Sequence, residues 1–212
     1  LADIMGKSMV QRVFEQCQKC DKLNRIIVAT DDERISFHVK SFGGEVMMTA
    51  KDHTNGTNRC GEVLNSIDDR FDVVVNVQGD EPYIMPEEIS KLLSLFEDEN
   101  TQIATLAKEI TEYETYKNLD NPKIYFNKEN IATSFERKGE ISEEEFSKNT
   151  CFQHIGIYAY KTDILSEITR PKERDQIEED LEQLKWMREK YKIKVGISSM
   201  ISMSVDREED IE

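Results

Sequence analysis

The chain has 212 residues, of which 38% are hydrophobic and 33% are charged, and its formal net charge is -15. This length suits one α/β domain, and the composition is that of an ordinary globular protein. The negative charge argues against a nucleic-acid partner or an anionic membrane surface, because both need clustered Lys and Arg. No apolar run approaches the roughly 18 residues of a membrane span, and no secretory segment is visible.

The four cysteines predict a reducing compartment rather than a metal site. Cys17 and Cys20 form a C-x-x-C, but the pair lies inside a helical pattern and has no second pair at zinc-finger spacing. We expect the cysteines to be small, buried hydrophobic residues of a cytoplasmic protein.

The first half of the chain alternates between helical and strand patterns. Apolar periodicity and caps predict helices over residues 8–20, 33–40, 59–67 and 86–97. Short apolar runs predict strands over residues 25–29, 45–49, 73–77 and 103–107. The helix over residues 33–40 is expected to have Thr30 or Asp31 as its cap. This alternation is typical of an α/β fold with a doubly wound, mostly parallel sheet.

The central strand of this sheet is predicted by the run VVVNVQGDEP at residues 73–82. Its Val residues indicate a strand that is buried on both faces. The apolar run then stops at an amide, a glycine and two carboxylates. A carboxylate at the carboxyl end of a buried strand lies where open α/β sheets bind their ligands. Asp80 is therefore a candidate site residue, and an acidic turn after a strand is the alternative.

The segment 52–59 contains no apolar residue and predicts a polar loop built around Gly56. No G-x-G-x-x-G opens any of the helices, which argues against a dinucleotide-binding dehydrogenase.

Residues 113–150 are polar and predict an inserted hairpin arm, with short strands at 123–126 and 131–135. Such an arm projects from a sheet edge to meet a partner, and a solvated loop is the alternative. A strand over residues 152–160 follows, and its alternation places His154, Gly156, Tyr158 and Tyr160 on one face. A His and a Tyr beside a Gly favour a site, although a structural His is the commoner case. A helix over 176–191, a strand over 192–197 and an acidic terminal helix from Arg207 complete the pattern.

Together these segments resemble the cytidylyltransferases that activate 3-deoxy-manno-octulosonate (Kdo), the CMP-Kdo synthetases. The resemblance covers nearly the whole chain. It depends on motifs in a fixed order, which are LADIxGK at 1–7, RIIVATDD at 25–32, GGEVxMT at 43–49, HxxGTxR at 53–59, NVQGDEP at 76–82, HxGIY at 154–158, LEQL at 181–184 and VD at 205–206.

The resemblance implies a reaction in which the anomeric hydroxyl of Kdo attacks the α-phosphorus of CTP and releases pyrophosphate. It implies catalytic roles for Asp80 and Gln78, and Mg²⁺ bound by Asp80 and Asp206. By the same resemblance the sugar-acid ligands are Gln78, His154, Tyr158, Glu182 and Gln183, and the nucleotide-binding residues are Ala29, Thr30, Asp31, Gly56, Thr57 and Arg59. A homodimer, formed through the arm, and a nucleotidyltransferase fold are also implied.

The sequence departs from the family pattern in two places that concern the site. The family's first strand and its Arg- and Lys-bearing, Gly-rich phosphate loop lie upstream of the segment that matches Leu1. The resemblance therefore implies one nucleotidyltransferase domain over 1–212 that lacks that strand and loop, and the 212-residue chain is expected not to turn over CTP. The family's glycines before the second metal Asp are replaced by Ser202, Met203 and Ser204.

Two alternative functions remain at this point. The first is a cytidylyltransferase for another sugar acid, such as a sialic-type acid or 8-amino-Kdo. The second is a non-catalytic relative that binds nucleotide only.

Overall fold

The computed structural model describes residues 1–170 and 181–200. The chain opens with an antiparallel pair of short strands, β1 (Asp3–Ile4) and β2 (Lys7–Ser8), which leads into helix α1 (Met9–Gln18). The Ser8 hydroxyl caps this helix by accepting a hydrogen bond from the Gln11 amide at 3.3 Å, as its sequence position predicts.

The next two strands form a separate parallel pair. Strand β3 (Val28–Thr30) pairs with β4 (Val46–Met48), and helix α2 (Glu33–Ser41) connects them. The cap of α2 is Asp32, whose carboxylate accepts from the Arg34 amide at 2.7 Å. The prediction of Thr30 or Asp31 was wrong by one or two residues. The Thr30 hydroxyl instead accepts from the Asp32 amide at 3.1 Å and orients the cap.

The main sheet has the strand order β10-β6-β9-β7-β8, and β5 pairs with β9. Its strands are β5 (Val73–Asn76), β6 (Ile103–Ile110), β7 (Lys123–Phe126), β8 (Ala132–Glu136), β9 (Cys151–Lys161) and β10 (Ile193–Ser198). Strand β10 is parallel to β6, while β9 is antiparallel to both β5 and β6. Strands β5, β6 and β10 therefore share one direction. The α/β class is confirmed, with β9 as a reversed strand inside a mixed sheet.

Helices cover both faces of this sheet. They are α3 (Gly56–Asn65), α4 (Pro86–Ser94), which continues as a 3-10 turn over Leu95–Glu97, α5 (Tyr113–Lys117), α6 (Glu143–Phe146), α7 (Thr162–Ile168) and α8 (Glu182–Arg188). Residues 176–180 of the predicted last helix lie outside the described residues. Tyr158 and Tyr160 belong to one apolar cluster and Ile155 and Ile157 to the other, so the predicted alternation of β9 is confirmed.

The inserted hairpin consists of β7 and β8 and packs against its own chain. Phe135 and Ile124 are buried in the main core, and the Asn130 carbonyl accepts from the Val195 amide at 2.8 Å. The hairpin is confirmed, and the alternative of a solvated loop is wrong, because apolar residues of both strands find partners in the core. Its role in dimerisation stays a prediction.

We expect Gly139→Ala to destabilise the base of this hairpin. A Cβ at Gly139 would lie 2.4 Å from Tyr116 Cε1 and 2.6 Å from the Tyr116 carbonyl oxygen, and Tyr116 is fully buried. Overpacking of this kind costs about 1–3 kcal/mol of unfolding free energy. Gly156→Ala is the matched control, because its Cβ meets nothing within 4 Å. Urea unfolding of both variants measures the difference, and equal midpoints would contradict the packing.

Candidate functional site

The candidate site lies where strand β5 ends. Asn76 is buried, and its side-chain oxygen accepts from Gln78 Nε2 at 3.3 Å. Gly79 and Asp80 follow in an exposed turn. A cavity of about 850 Å³ runs between β3, β5, α1 and α3, and this stretch of β5 forms one wall. Asp80 therefore follows β5 in an exposed turn, and its role as a site residue stays a prediction.

The first turn of α3 forms a second wall of the cavity. Its cap is Asn55, whose side-chain oxygen accepts from the Asn58 amide at 2.8 Å. The helix therefore begins at Gly56, and the prediction that the loop extends to Arg59 was wrong. Gly56 is needed for a close approach, because a Cβ there would lie 3.0 Å from Gln78 Nε2 and 3.1 Å from Asn76 Nδ2.

Arg59 connects this turn to the end of β3. Its Nη2 lies 3.4 Å from Asp31 Oδ1, and its Nη1 donates to Thr49 Oγ1 and to the Ala50 carbonyl. Five of the residues that the resemblance implies line the cavity together, namely Ala29, Thr30, Gly56, Arg59 and Gln78. Asp31 joins them through its ion pair with Arg59. Thr57 does not line the cavity, because its side chain is buried behind the turn.

The implied sugar-acid residues form a second cluster next to the cavity. Tyr158 of β9 lies directly opposite Asn76 of β5 in the antiparallel register. The rings of His154 and Tyr158 are 5.2 Å apart, and Trp186 of α8 packs edge-on against Tyr158 at 5.1 Å. Gln183 is buried on the same helix. The pairing of β5 with β9 is therefore what joins the two groups of residues.

His154 is a neutral imidazole in this environment. Burial lowers the pKa of His154 to about 3. The Thr105 hydroxyl lies 2.9 Å from His154 Nε2 and donates to the Ile157 carbonyl at 2.8 Å, which leaves His154 as the donor to Thr105. The irregularity in the β6–β9 pairing next to Thr105 makes room for this contact.

Glu182 is the acidic group of the second cluster. Burial raises the pKa of Glu182 to about 7, and a hydrogen bond from the Thr57 side chain opposes this shift. Glu182 Oε2 has no partner among the described residues, and the same holds for Tyr158 Oη and Asn76 Nδ2. Buried polar atoms are normally satisfied, so three such atoms near one strand end make this cluster a candidate for binding polar groups.

Asn76 and Thr105 are further residues of the candidate site that the sequence reasoning did not single out, and Tyr160 was placed on the face of Tyr158 without a role. Asn76 could have been found, because it is a polar residue inside an otherwise apolar Val run. Tyr160 shares the face of Tyr158, and its hydroxyl lies 3.0 Å from Thr57 Oγ1. Nothing in the sequence distinguishes Thr105, because a single Thr is common in strands.

The proposed metal ligands are only partly described. Asp80 is exposed at the end of β5, and Asp206 lies outside the described residues. Within residues 1–170 and 181–200, no three or more His, Cys, Asp or Glu side chains form a group that could hold a metal ion. Magnesium is usually bound by one or two carboxylates together with substrate phosphates. The exposed carboxylate of Asp80 fits one of these protein ligands.

The cysteines at positions 17 and 20 are free and buried, in agreement with the sequence analysis. Burial raises the pKa of Cys17 to about 12, which disfavours a thiolate ligand. Within the described part of the chain, no helix combines the length and the apolar character that crossing a membrane requires.

We expect His154 to make the unfolding free energy pH-dependent. Its folded pKa is lower than that of the unfolded chain, so the unfolded state gains a proton first and stability falls as pH drops below about 6.5. From about pH 7.5 to about pH 5 the wild type should lose about 2 kcal/mol more than His154→Asn. Urea unfolding at each pH measures this loss, and parallel curves for the two proteins would contradict a buried neutral His154.

Comparison with known proteins places the chain in a family. A family model described as "Cytidylyltransferase" matches residues 1–193. Among solved structures, CMP:2-keto-3-deoxy-manno-octonic acid synthetase complexed with CTP superposes with a TM-score of 0.89 at 32% identity, over 100% of this chain and 87% of that chain. A 4-diphosphocytidyl-2C-methyl-D-erythritol synthase from Anaerococcus prevotii, at 11% identity and a TM-score of 0.67, shares the fold; the match covers 99% of this chain and 85% of that one.

Two relatives are similar over the entire chain. The 3-deoxy-manno-octulosonate cytidylyltransferases of Parabacteroides distasonis and Bacteroides thetaiotaomicron are each 44% identical to it over 100% of this chain and 88% of their own length. This similarity agrees with the resemblance that the motifs predicted. The chain belongs to the 3-deoxy-manno-octulosonate cytidylyltransferase family.

Proposed function

We propose that this protein couples CTP to Kdo, giving CMP-Kdo and pyrophosphate. The observation that carries the proposal is the junction at the end of β5, where the cavity lined by Gly56, Arg59 and Gln78 adjoins the cluster of Tyr158 and Glu182. The names of the relatives and the CTP complex of the similar structure support the same substrates.

The end of the cavity next to Gly56 and Gln78 suits the nucleotide. Elsewhere the walls of the cavity are mostly apolar, because they come from β3, β5 and α1. Its polar lining comes from the end of β3 and from the first turn of α3, which are the segments that carry the implied nucleotide-binding residues. Backbone groups at Ala29 and Thr30 and the guanidinium of Arg59 can bind a base and a ribose by hydrogen bonds, since both are rich in polar atoms.

The second cluster suits the sugar acid, which carries several hydroxyl groups. The unpartnered atoms include a donor, Asn76 Nδ2, an acceptor, Glu182 Oε2, and the Tyr158 hydroxyl, which can do both. Sugar hydroxyls can satisfy all three. His154 is a weak base, because burial lowers its pKa to about 3, and its ring packs against Tyr158.

The reaction needs positioning and charge neutralisation more than covalent chemistry. In this proposal Gln78 lies between the two substrates, because it lines the cavity and bonds Asn76. Asp80 and Asp206 would hold Mg²⁺. Bound there, the ion would neutralise the charge that develops on the phosphate oxygens.

Further features of the proposal are a cytoplasmic homodimer and a role in lipopolysaccharide synthesis. The domain prediction, a nucleotidyltransferase domain over 1–212 without its first strand and phosphate loop, is also kept as a proposal. Normal CTP turnover by the 212-residue chain would contradict this part.

We expect the full-length gene product to release pyrophosphate from CTP with Kdo and not with a sialic-type acid. The measurement is pyrophosphate release with CTP and Kdo, a sialic-type acid or 8-amino-Kdo in parallel. A higher kcat/KM for either competing sugar acid would show that this acid, and not Kdo, is the substrate. CTP binding without turnover of any sugar acid would favour the non-catalytic relative.

We expect Asp80→Asn to weaken Mg²⁺-dependent CTP binding by about tenfold or more, because a charged metal ligand becomes neutral. Isothermal titration calorimetry with CTP, with and without Mg²⁺, measures this effect. Asp72→Asn is the matched control, since Asp72 is exposed just before the opposite end of β5. Equal CTP affinity for wild type and Asp80→Asn in Mg²⁺ would remove the metal role of Asp80.

A further inference from the structure

We infer that Glu62 of α3 is a positioning residue for the nucleotide. Its carboxylate fastens the chain segment 50–55 to the helix and so sets the position of the cavity wall that CTP contacts. This inference rests on the proposed function, in which CTP occupies the cavity beside Gly56. Glu62 is not among the residues that line the cavity, so it would act without touching the nucleotide.

The Glu62 carboxylate contacts the segment at two points. The Ala50 amide donates to Glu62 Oε2 at 3.0 Å and to Glu62 Oε1 at 3.3 Å. Three residues further along the chain, His53 Nε2 hydrogen-bonds Glu62 Oε2. The Ala50 amide and then His53 hold the pKa of Glu62 below its usual range, so the group is ionised at pH 7. Both contacts therefore involve a charged acceptor, which makes stronger hydrogen bonds than a neutral one.

Arg59 holds the same segment from one turn earlier in α3. It precedes Glu62 by three positions, so the two side chains are neighbours on the helix surface. Arg59 Nη1 donates to the Ala50 carbonyl at 3.3 Å and to Thr49 Oγ1. Two neighbouring side chains of α3 therefore bind the amide and the carbonyl of Ala50, which fixes the start of the segment.

The rest of the segment depends on polar contacts. Residues 51–54 are all polar, and three of these four are exposed. A loop that buries no apolar side chain opens at a small cost in free energy. The Asn55 cap of α3 fixes the far end of the loop. The contact between His53 and Glu62 lies between that cap and Ala50, so it holds the part of the loop that neither end fixes.

This segment forms part of the cavity wall next to the end of β5. Residues 53–56 line the cavity one after another. Gly56 approaches β5 so closely that a Cβ there would lie 3.0 Å from Gln78 Nε2. A shift of the segment would therefore change the cavity at its polar end. Most of the second cluster lies on β9 and α8 instead, so loss of the Glu62 contacts should weaken CTP binding more than sugar-acid binding.

The test compares Glu62→Ala, which removes both acceptor oxygens, with Glu62→Gln, which keeps one of them. In the full-length gene product, Glu62→Ala should raise the KM for CTP about tenfold, as expected for lost hydrogen bonds to a charged group. The kcat and the KM for the sugar acid should stay within about twofold of the wild type. Glu62→Gln should recover most of the loss, because its side-chain oxygen can still accept from the Ala50 amide.

The matched control is Asn65→Ala, at an exposed position of the same helix, which should leave both KM values unchanged. Equal losses for both substrates in Glu62→Ala, or no recovery in Glu62→Gln, would overturn the inference.

A second measurement separates this inference from the proposed function. Amide hydrogen exchange at Ala50, followed by NMR without any substrate, reports the hydrogen bond to Glu62 directly. Exchange should be at least about tenfold faster in Glu62→Ala than in Asn65→Ala, because the amide loses its acceptor. Unchanged exchange would overturn the contact itself.

Two further outcomes of the same pair of experiments would also count against the inference. Faster exchange at Ala50 without a higher KM for CTP would leave the contact in place and overturn its role in positioning. A wild-type protein that protects the Ala50 amide but binds no CTP would refute the proposed function, and the role of Glu62 toward the nucleotide would fall with it.

Discussion

The register between β5 and β9 is the constraint on which the rest of the site depends. It sets Asn76 opposite Tyr158, so that the strand carrying Gln78 and Asp80 lies beside the strand carrying His154. Side chains alternate along a strand, and a slip of one residue would turn Tyr158 to the opposite face. The apolar clusters on both faces of β9 hold this register, because Tyr160 and Ile157 are each buried on their own side.

The first turn of α3 adds a second constraint. It approaches β5 closely at Gly56, lines the cavity through Arg59 and reaches the second cluster through Thr57. Residues of one helical turn therefore contact both the cavity and the neighbouring cluster. This arrangement suits a reaction between two bound substrates, in which the geometry between the two sites matters as much as the affinity of either.

The sequence predicted best where one physical signal dominates. The Val run correctly predicted β5 as a strand, and the alternation in β9 predicted both of its faces. The expectation that β5 is a central strand buried on both faces was wrong, because Val73, Val74 and Val75 are only half-buried and β5 has one described pairing partner. The antiparallel direction of β9 could not be predicted from the sequence. An alternation of helices and strands predicts parallel neighbours, whereas here the hairpin of β7 and β8 stands in place of a crossover helix before β9. The start of α3 was missed because the Asn55 cap begins the helix before its apolar residues. The inward direction of Thr57 was missed because its segment is uniformly polar.

The central claim is that one sugar acid occupies the cluster at the end of β5 while CTP occupies the cavity beside it. A crystal structure of the full-length gene product with CTP and Kdo tests this claim most directly. It should show Kdo hydroxyls within hydrogen-bond distance of Asn76 Nδ2, Tyr158 Oη and Glu182 Oε2, with the cytidine against Gly56 and Arg59. Kdo bound elsewhere, with those three atoms still unpartnered, would contradict it.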